Sequence, residues 1–108
     1  MGELIDRATV QTYASWFRAL VDPTRVQIVE YLARHARPMS VGEIVAAVGL
    51  AQSTVSQHLK ILTEVRFVLV ESVGTARYYR INDACVGCFP SAADVVMGRP
   101  APNPKGAC

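Results

Sequence analysis

Two groups of residues in this chain have types and spacings that could do chemistry. The first is Gln52, Ser53, Thr54, Ser56, Gln57 and Lys60, interleaved with the apolar residues Val55, Leu59 and Leu62. The apolar three repeat at helical spacing, which puts the polar set on the other side of one helix. A solvated helix face ordinarily carries Glu and Lys, but this one carries amides and hydroxyls. Such groups donate and accept without net charge, which suits reading base edges in a major groove, with Lys60 placed for a phosphate. The second group is Cys85-Val86-Gly87-Cys88, with Cys108 as a third thiol. Two cysteines at i, i+3 can face one side of a turn or short helix, and thiolates favour soft ions. The same pair could close into a disulfide as a redox switch, or pack as two small apolar residues.

Length and composition bound what can position these groups. At 108 residues, 51% of them hydrophobic, the chain fits one domain with a modest core. The formal charge is only +2, so nucleic-acid binding has to rest on locally placed cations. From Gln52 to Arg80 the cations Lys60, Arg66, Arg77 and Arg80 stand against Glu64 and Glu71, and a dimer would double that slight excess on one surface. No apolar run approaches the ~20 residues of a membrane span. Residues 1–7 lack the basic and apolar regions of a signal peptide, and Asp6 stands where a myristoylation signal wants Ser or Thr. A cytoplasmic protein with no membrane partner is expected. An odd cysteine count argues against a closed disulfide framework and for thiols with a chemical job.

The elements follow from periodicity and punctuation. Tyr13, Trp16, Phe17 and Leu20 mark an amphipathic helix over about 8–20. Asp22-Pro23 reads as N-cap and first helical residue of a second helix to about Arg34, with Ile28, Val29 and Leu32 inward and Pro38 beyond its end. Ser40-Val41-Gly42-Glu43 is a capping box opening a short third helix striped by Val41, Ile44, Val45 and Val48. Gly49 supplies a tight turn into the polar-faced helix, where Ala51 occupies the N-cap position without a capping side chain, a cost of ~1 kcal/mol. Two helices joined this way, the second carrying the reading face, make a helix-turn-helix. Phe67–Ser72 and Ala76–Ile81 read as two strands around a Val73-Gly74-Thr75 turn, a wing whose Arg77 is placed for a phosphate. Tyr78 and Tyr79 fall on opposite strand faces. Pro90 opens an expected last helix to about residue 97. The expected domain is therefore 1–97, with a Pro-rich tail over 98–108.

His58 lies beside Leu59 on the polar-faced helix, where contact with DNA or with the core edge is expected in preference to metal binding. His35 is expected to cap the second helix, where a cation suits the dipole. Trp16 and Phe17, an aromatic pair at helical spacing, are read as core or subunit interface. The residues offer no Ser/His/Asp set or paired carboxylates, and no thioredoxin-like strand–helix pattern precedes the cysteine pair, so no enzyme is expected.

Three stretches resemble the ArsR/SmtB family of winged-helix metalloregulators: Phe17–Arg25, Gln52–Leu62 and Gly74–Tyr79, in that order and at these separations. The likeness runs from about Tyr13 to Ile81. It implies a mainly α fold with a small β-hairpin, a homodimer through the first and last helices, and a repressor on palindromic double-stranded operator DNA. It also implies release when a metal or metalloid ion binds. Two sensing sites familiar in the family are absent. The helix before the reading helix, Val41–Val48, holds no Cys-x-Cys pair, and Asp94 is the only ionisable residue between Phe89 and Met97. What remains is Cys85 and Cys88, completed by Cys108 if the tail extends at ~3.1 Å per residue and folds back or reaches the other subunit. As(III) and Sb(III) favour three thiolates in a pyramid. Zinc and cadmium rank behind, since a tetrahedral ion wants a fourth ligand that the neighbourhood does not obviously supply. A disulfide switch at Cys85 and Cys88 is the rival reading, and a constitutive DNA-binding module with inert cysteines is a third.

Overall fold

Asp6 opens the first helix by accepting from the Thr9 N–H at 3.2 Å and from the Thr9 hydroxyl at 2.6 Å, and α1 runs Arg7–Ala19. Asp22 caps α2 (Pro23–His35) through the Thr24 N–H at 2.8 Å, with Pro23 in the first turn where its missing N–H is harmless. The computed structural model describes residues 4–84, 94 and 96–98. Cys85, Cys88 and Cys108, the 98–108 tail apart from Gly98, and most of the expected last helix lie outside the described residues.

After α2, Ala36 closes the helix in the left-handed region at φ 54°, its N–H donating to the Leu32 carbonyl at 3.0 Å. Pro38 follows and leads into Met39–Ser40, which forms β1. This strand went unread in the sequence. Two residues are too short to show alternation, and the pairing partner lies some forty positions away. The hairpin is consequently part of a three-stranded antiparallel sheet of order β1-β3-β2, with β2 at Val68–Val73 and β3 at Ala76–Ile81. Met39 pairs with Tyr79, and Val68 pairs with Ile81. Val73 pairs with Ala76, leaving Gly74 and Thr75 as a two-residue turn. Gly74 takes φ 63° at the first turn position, which glycine adopts without steric cost.

The capping box forms as read. Ser40 Oγ accepts from the Glu43 N–H at 3.1 Å, and Glu43 Oε1 accepts from the Ser40 N–H at 2.9 Å, opening α3 (Val41–Val48). Gly49, at φ 73°, closes α3 and turns the chain into α4 (Gln52–Glu64). Every element contributes to one core. Trp16 and Ala19 come from α1, Ile28 and Leu32 from α2, Met39 from β1, and Ile44 from α3. Val55, Leu59 and Leu62 of α4 are fully buried in it, beneath Phe67, Val68, Tyr79 and Ile81. Trp16 sits 5.7 Å from Tyr13 and 6.3 Å from Phe67, ring centre to ring centre, so α1 is pinned against the start of the wing.

Candidate nucleic-acid interface

The stripe Val55, Leu59 and Leu62 fixes the rotation of α4 about its own axis. With that side buried, Gln52, Ser53, Thr54, Ser56, Gln57 and Lys60 are all exposed. Among the described residues none of these six side chains makes a hydrogen bond or ion pair. That combination is costly to explain as fold stabilisation, because a polar helix face ordinarily ties up some of its groups in i, i+4 pairs.

The structure divides the row in two. Gln52, Ser56, Lys60 and Thr63 follow one another up the side of α4 that looks at the wing. They line a cleft of about 560 Å³ whose other wall includes Thr75, Ala76 and Arg77. Ser53, Thr54 and Gln57 are absent from that lining and form the outward edge of the helix. Of the two wing arginines on β3, the cleft takes Arg77 and not Arg80. The pleat explains this: Arg77, Tyr79 and Ile81 share one face, Tyr79 and Ile81 are buried against the helices, and Arg77 continues that face beyond the core edge. Ser40 and Thr63 also line the cleft. Both were passed over in the sequence because Ser40 was accounted for as a cap and Thr63 follows the polar run.

His58 departs from the rest of the predicted set. It is half-buried, and its Nδ1 lies 3.2 Å from an Arg25 terminal nitrogen on α2. It therefore occupies the core-edge position rather than the exposed row. His35 does cap its helix end, with Nδ1 2.9 Å from the Tyr31 carbonyl and its ring 4.2 Å from the Tyr31 ring.

The two ends of α4 are finished differently. Its start carries no side-chain cap, Ala51 having nothing to offer. Its finish is a Schellman motif: the Phe67 N–H reaches the Leu62 carbonyl at 3.1 Å and the Arg66 N–H reaches the Thr63 carbonyl at 3.1 Å, with Arg66 at φ 66°. Leu62 and Phe67 are both buried, the apolar contact that accompanies such a motif. Asn82, the residue after β3, holds the junction, its Nδ2 donating to the Arg66 carbonyl at 2.8 Å and its N–H to the Phe67 carbonyl at 2.9 Å. The wing is thereby attached to the helix it flanks.

Three carboxylates sit at helix starts, each held below its ordinary range. The Thr9 hydroxyl and then the Thr9 N–H lower Asp6. For Asp22, desolvation pushes upward but is outweighed by the N–H groups of Thr24 and Arg25 and by the Arg25 charge. The Ser40 N–H and then Arg37, at 3.2 Å, lower Glu43. Among the described residues no group of three or more His, Cys, Asp or Glu side chains gathers as a metal site, and no helix is long and apolar enough to cross a membrane.

Helix, glycine turn, exposed polar helix and adjoining hairpin define a winged helix-turn-helix protein. Residues 22–70 match the family described as bacterial regulatory protein, arsR family. The chain is 35% identical to a probable mercury resistance operon repressor of Streptomyces lividans, over 80% of this chain and 62% of that one. It is 32% identical to the arsenical resistance operon repressor of Bacillus subtilis, over 68% of this chain and 70% of that protein. Among solved structures, the homodimeric winged helix-turn-helix DNA-binding domain of a possible ArsR-family regulator from Mycobacterium bovis superposes with a TM-score of 0.69. Identity there is 30%, over 91% of each chain. The chain belongs to the ArsR/SmtB family. It spans 50–62% of the length of the first four curated relatives it matches.

Proposed function

We propose that this protein is a homodimeric transcriptional repressor that binds a palindromic operator and releases it when a thiophilic ion engages its cysteines. The observation that carries the DNA-binding half is the exposed polar row of α4, unpartnered among the described residues, of which Gln52, Ser56 and Lys60 face Arg77 across a cleft. A phosphodiester strand passing through that cleft would meet Lys60 and Arg77 as cations and Gln52, Ser56 and Thr75 as neutral donors. Ser53, Thr54 and Gln57, on the outward edge, would reach base edges in the major groove. A dimer sets two such helices about one DNA turn, ~34 Å, apart. The homodimeric state of the Mycobacterium bovis domain supports that arrangement.

The release half rests on sequence chemistry and on relatives. Cys85, Cys88 and Cys108 supply up to three thiolates, which suits As(III) or Sb(III), and one relative is named for arsenical resistance. Another is named for mercury resistance, and a two-thiolate pair also suits Hg(II), so mercury is the second inducer to consider. An ion held between the wing and a last helix at the dimer interface would alter the angle of the reading heads. Couplings of ~1–3 kcal/mol suffice to change occupancy.

The test is fluorescence anisotropy on a duplex enriched from a random-sequence pool by the wild-type protein. The reduced protein is titrated with arsenite, antimonite, mercuric ion, zinc and cadmium, while ultraviolet absorption follows thiolate–ion bonds. Arsenite or antimonite should release the duplex from the wild type and not from Cys85→Ser. Release by peroxide alone, reversed by reductant, would replace the ion with a disulfide switch. An unchanged response of Cys85→Ser to every ion would remove the cysteines from the mechanism.

A further inference from the structure

We infer that Arg25 is a positioning residue for the reading helix, acting through His58, an inference that rests on α4 being the DNA reader. Arg25 lies in the first turn of α2. Its Nε–H donates to the Ala19 carbonyl at the end of α1 at 2.6 Å, and a terminal nitrogen lies 3.2 Å from His58 Nδ1. A guanidinium carries donors only, so His58 Nδ1 is the acceptor and the ring carries its proton on Nε2. One planar group thus spans three helices, joining the last turn of α1 to the middle of α4, a residue 33 positions further along the chain. The Ala19 carbonyl is one of those a helix end leaves without an intrahelical partner, so this link also completes α1.

The apolar packing of α4 and the Arg25 link act together. Burial of Val55, Leu59 and Leu62 sets which face of α4 turns inward. A hydrogen bond to a ring nitrogen has a preferred line and distance, so it adds a directional restraint that ties the orientation of α4 to Arg25. His58 adjoins Gln57 on the outward edge, and the turn of α4 that fixes one fixes the other. The charged groups facing His58 from α2 are Arg25 and Asp22. The strut therefore relates the direction of the base-reading side chains to α1, the helix that the proposed dimer uses to set the spacing of its two heads.

The experiment measures binding of the enriched duplex by wild type, Arg25→Met, His58→Leu, the double variant and His58→Asn, together with the nitrogen-15 spectrum of His58. Arg25→Met and His58→Leu should each weaken binding about tenfold, within the ~5–150-fold range of couplings between sites. The double variant should be no weaker than either single. His58→Asn places a side-chain oxygen where Nδ1 stood and should recover most of the affinity. The wild-type spectrum should show a bare Nδ1 and a protonated Nε2, replaced by mixed tautomers in Arg25→Met. This reading survives even if His58→Leu does not fold. A double variant weakened multiplicatively, about a hundredfold, would overturn the strut. So would a protonated Nδ1 in the wild type. If His58→Asn binds as poorly as His58→Leu while Arg25→Met binds normally, His58 touches DNA itself and the strut is wrong. A wild type that enriches no duplex is a different result, and refutes DNA reading as a whole.

Discussion

The two helices of the helix-turn-helix begin in opposite ways. At the start of α3, Ser40 and Glu43 satisfy each other's backbone N–H groups, and Arg37 braces Glu43 from outside. At the start of α4, Ala51 supplies no side-chain cap, and the exposed residues that follow engage nothing among the described residues. A helix whose only task is to support the fold has its end groups satisfied locally. One that must accept a ligand gains from leaving donors free, because a group already paired has to break that bond before it can make another. The contrast separates the supporting helix from the reading helix without reference to any bound partner.

The largest effect should come from attacking what both helices share. Leu59→Ala removes a fully buried side chain and should lower unfolding free energy by ~2–5 kcal/mol, measured by urea titration. Gln57→Ala should cost ~1–3 kcal/mol of DNA discrimination, with stability within ~0.5 kcal/mol of wild type. Similar weakening across all duplex sequences would instead make Gln57 a backbone contact. The end-group contrast itself is tested by exchange. Ser40→Ala should destabilise by ~1 kcal/mol, while Ala51→Ser should stabilise by about as much. An Ala51→Ser protein of unchanged stability would mean that the open end of α4 is already satisfied.

The smallest effect is that of acid. Asp6, Asp22 and Glu43 are lowered from ordinary values of 3.8, 3.8 and 4.5. A lowered value means that the folded state binds fewer protons than the unfolded chain. The caps therefore stabilise fully above these ordinary values, and their contribution disappears as pH falls from there through the lower folded-state values. Asp6 is exposed and Asp22 and Glu43 are only half-buried, so the loss is modest. Amide exchange should show α3 loosening over that acid range, with no matching change at the start of α4, which has no carboxylate cap.

Much of this was readable residue by residue. Asp22-Pro23, the Ser40–Glu43 box and Gly49 announced helix ends because capping depends on side chains within three positions of the backbone groups they serve. The spacing of Val55, Leu59 and Leu62 announced which face of α4 would be exposed, since helical periodicity is local. The wing appeared from a run of strand composition and an alternating return run around Gly74. Less visible was the end of α4, where Arg66 takes a left-handed conformation that glycine would have advertised. Buried Leu62 and Phe67, with Asn82 holding the Arg66 carbonyl, offset that cost.

Local spacing alone therefore settled the order of the elements, the buried stripe of the reading helix and the identity of its polar row. It could not settle which members of that row share a cleft with Arg77, since that depends on where the sheet lays β3 against α4. Nor could it find β1, whose two residues are a strand only because Tyr78 and Tyr79 lie beside them. His58 was read as a neighbour of DNA or of the core edge, and only folding brought Arg25 to its ring. Contacts between residues far apart in the chain depend on how whole elements pack, and no window along the sequence holds that information.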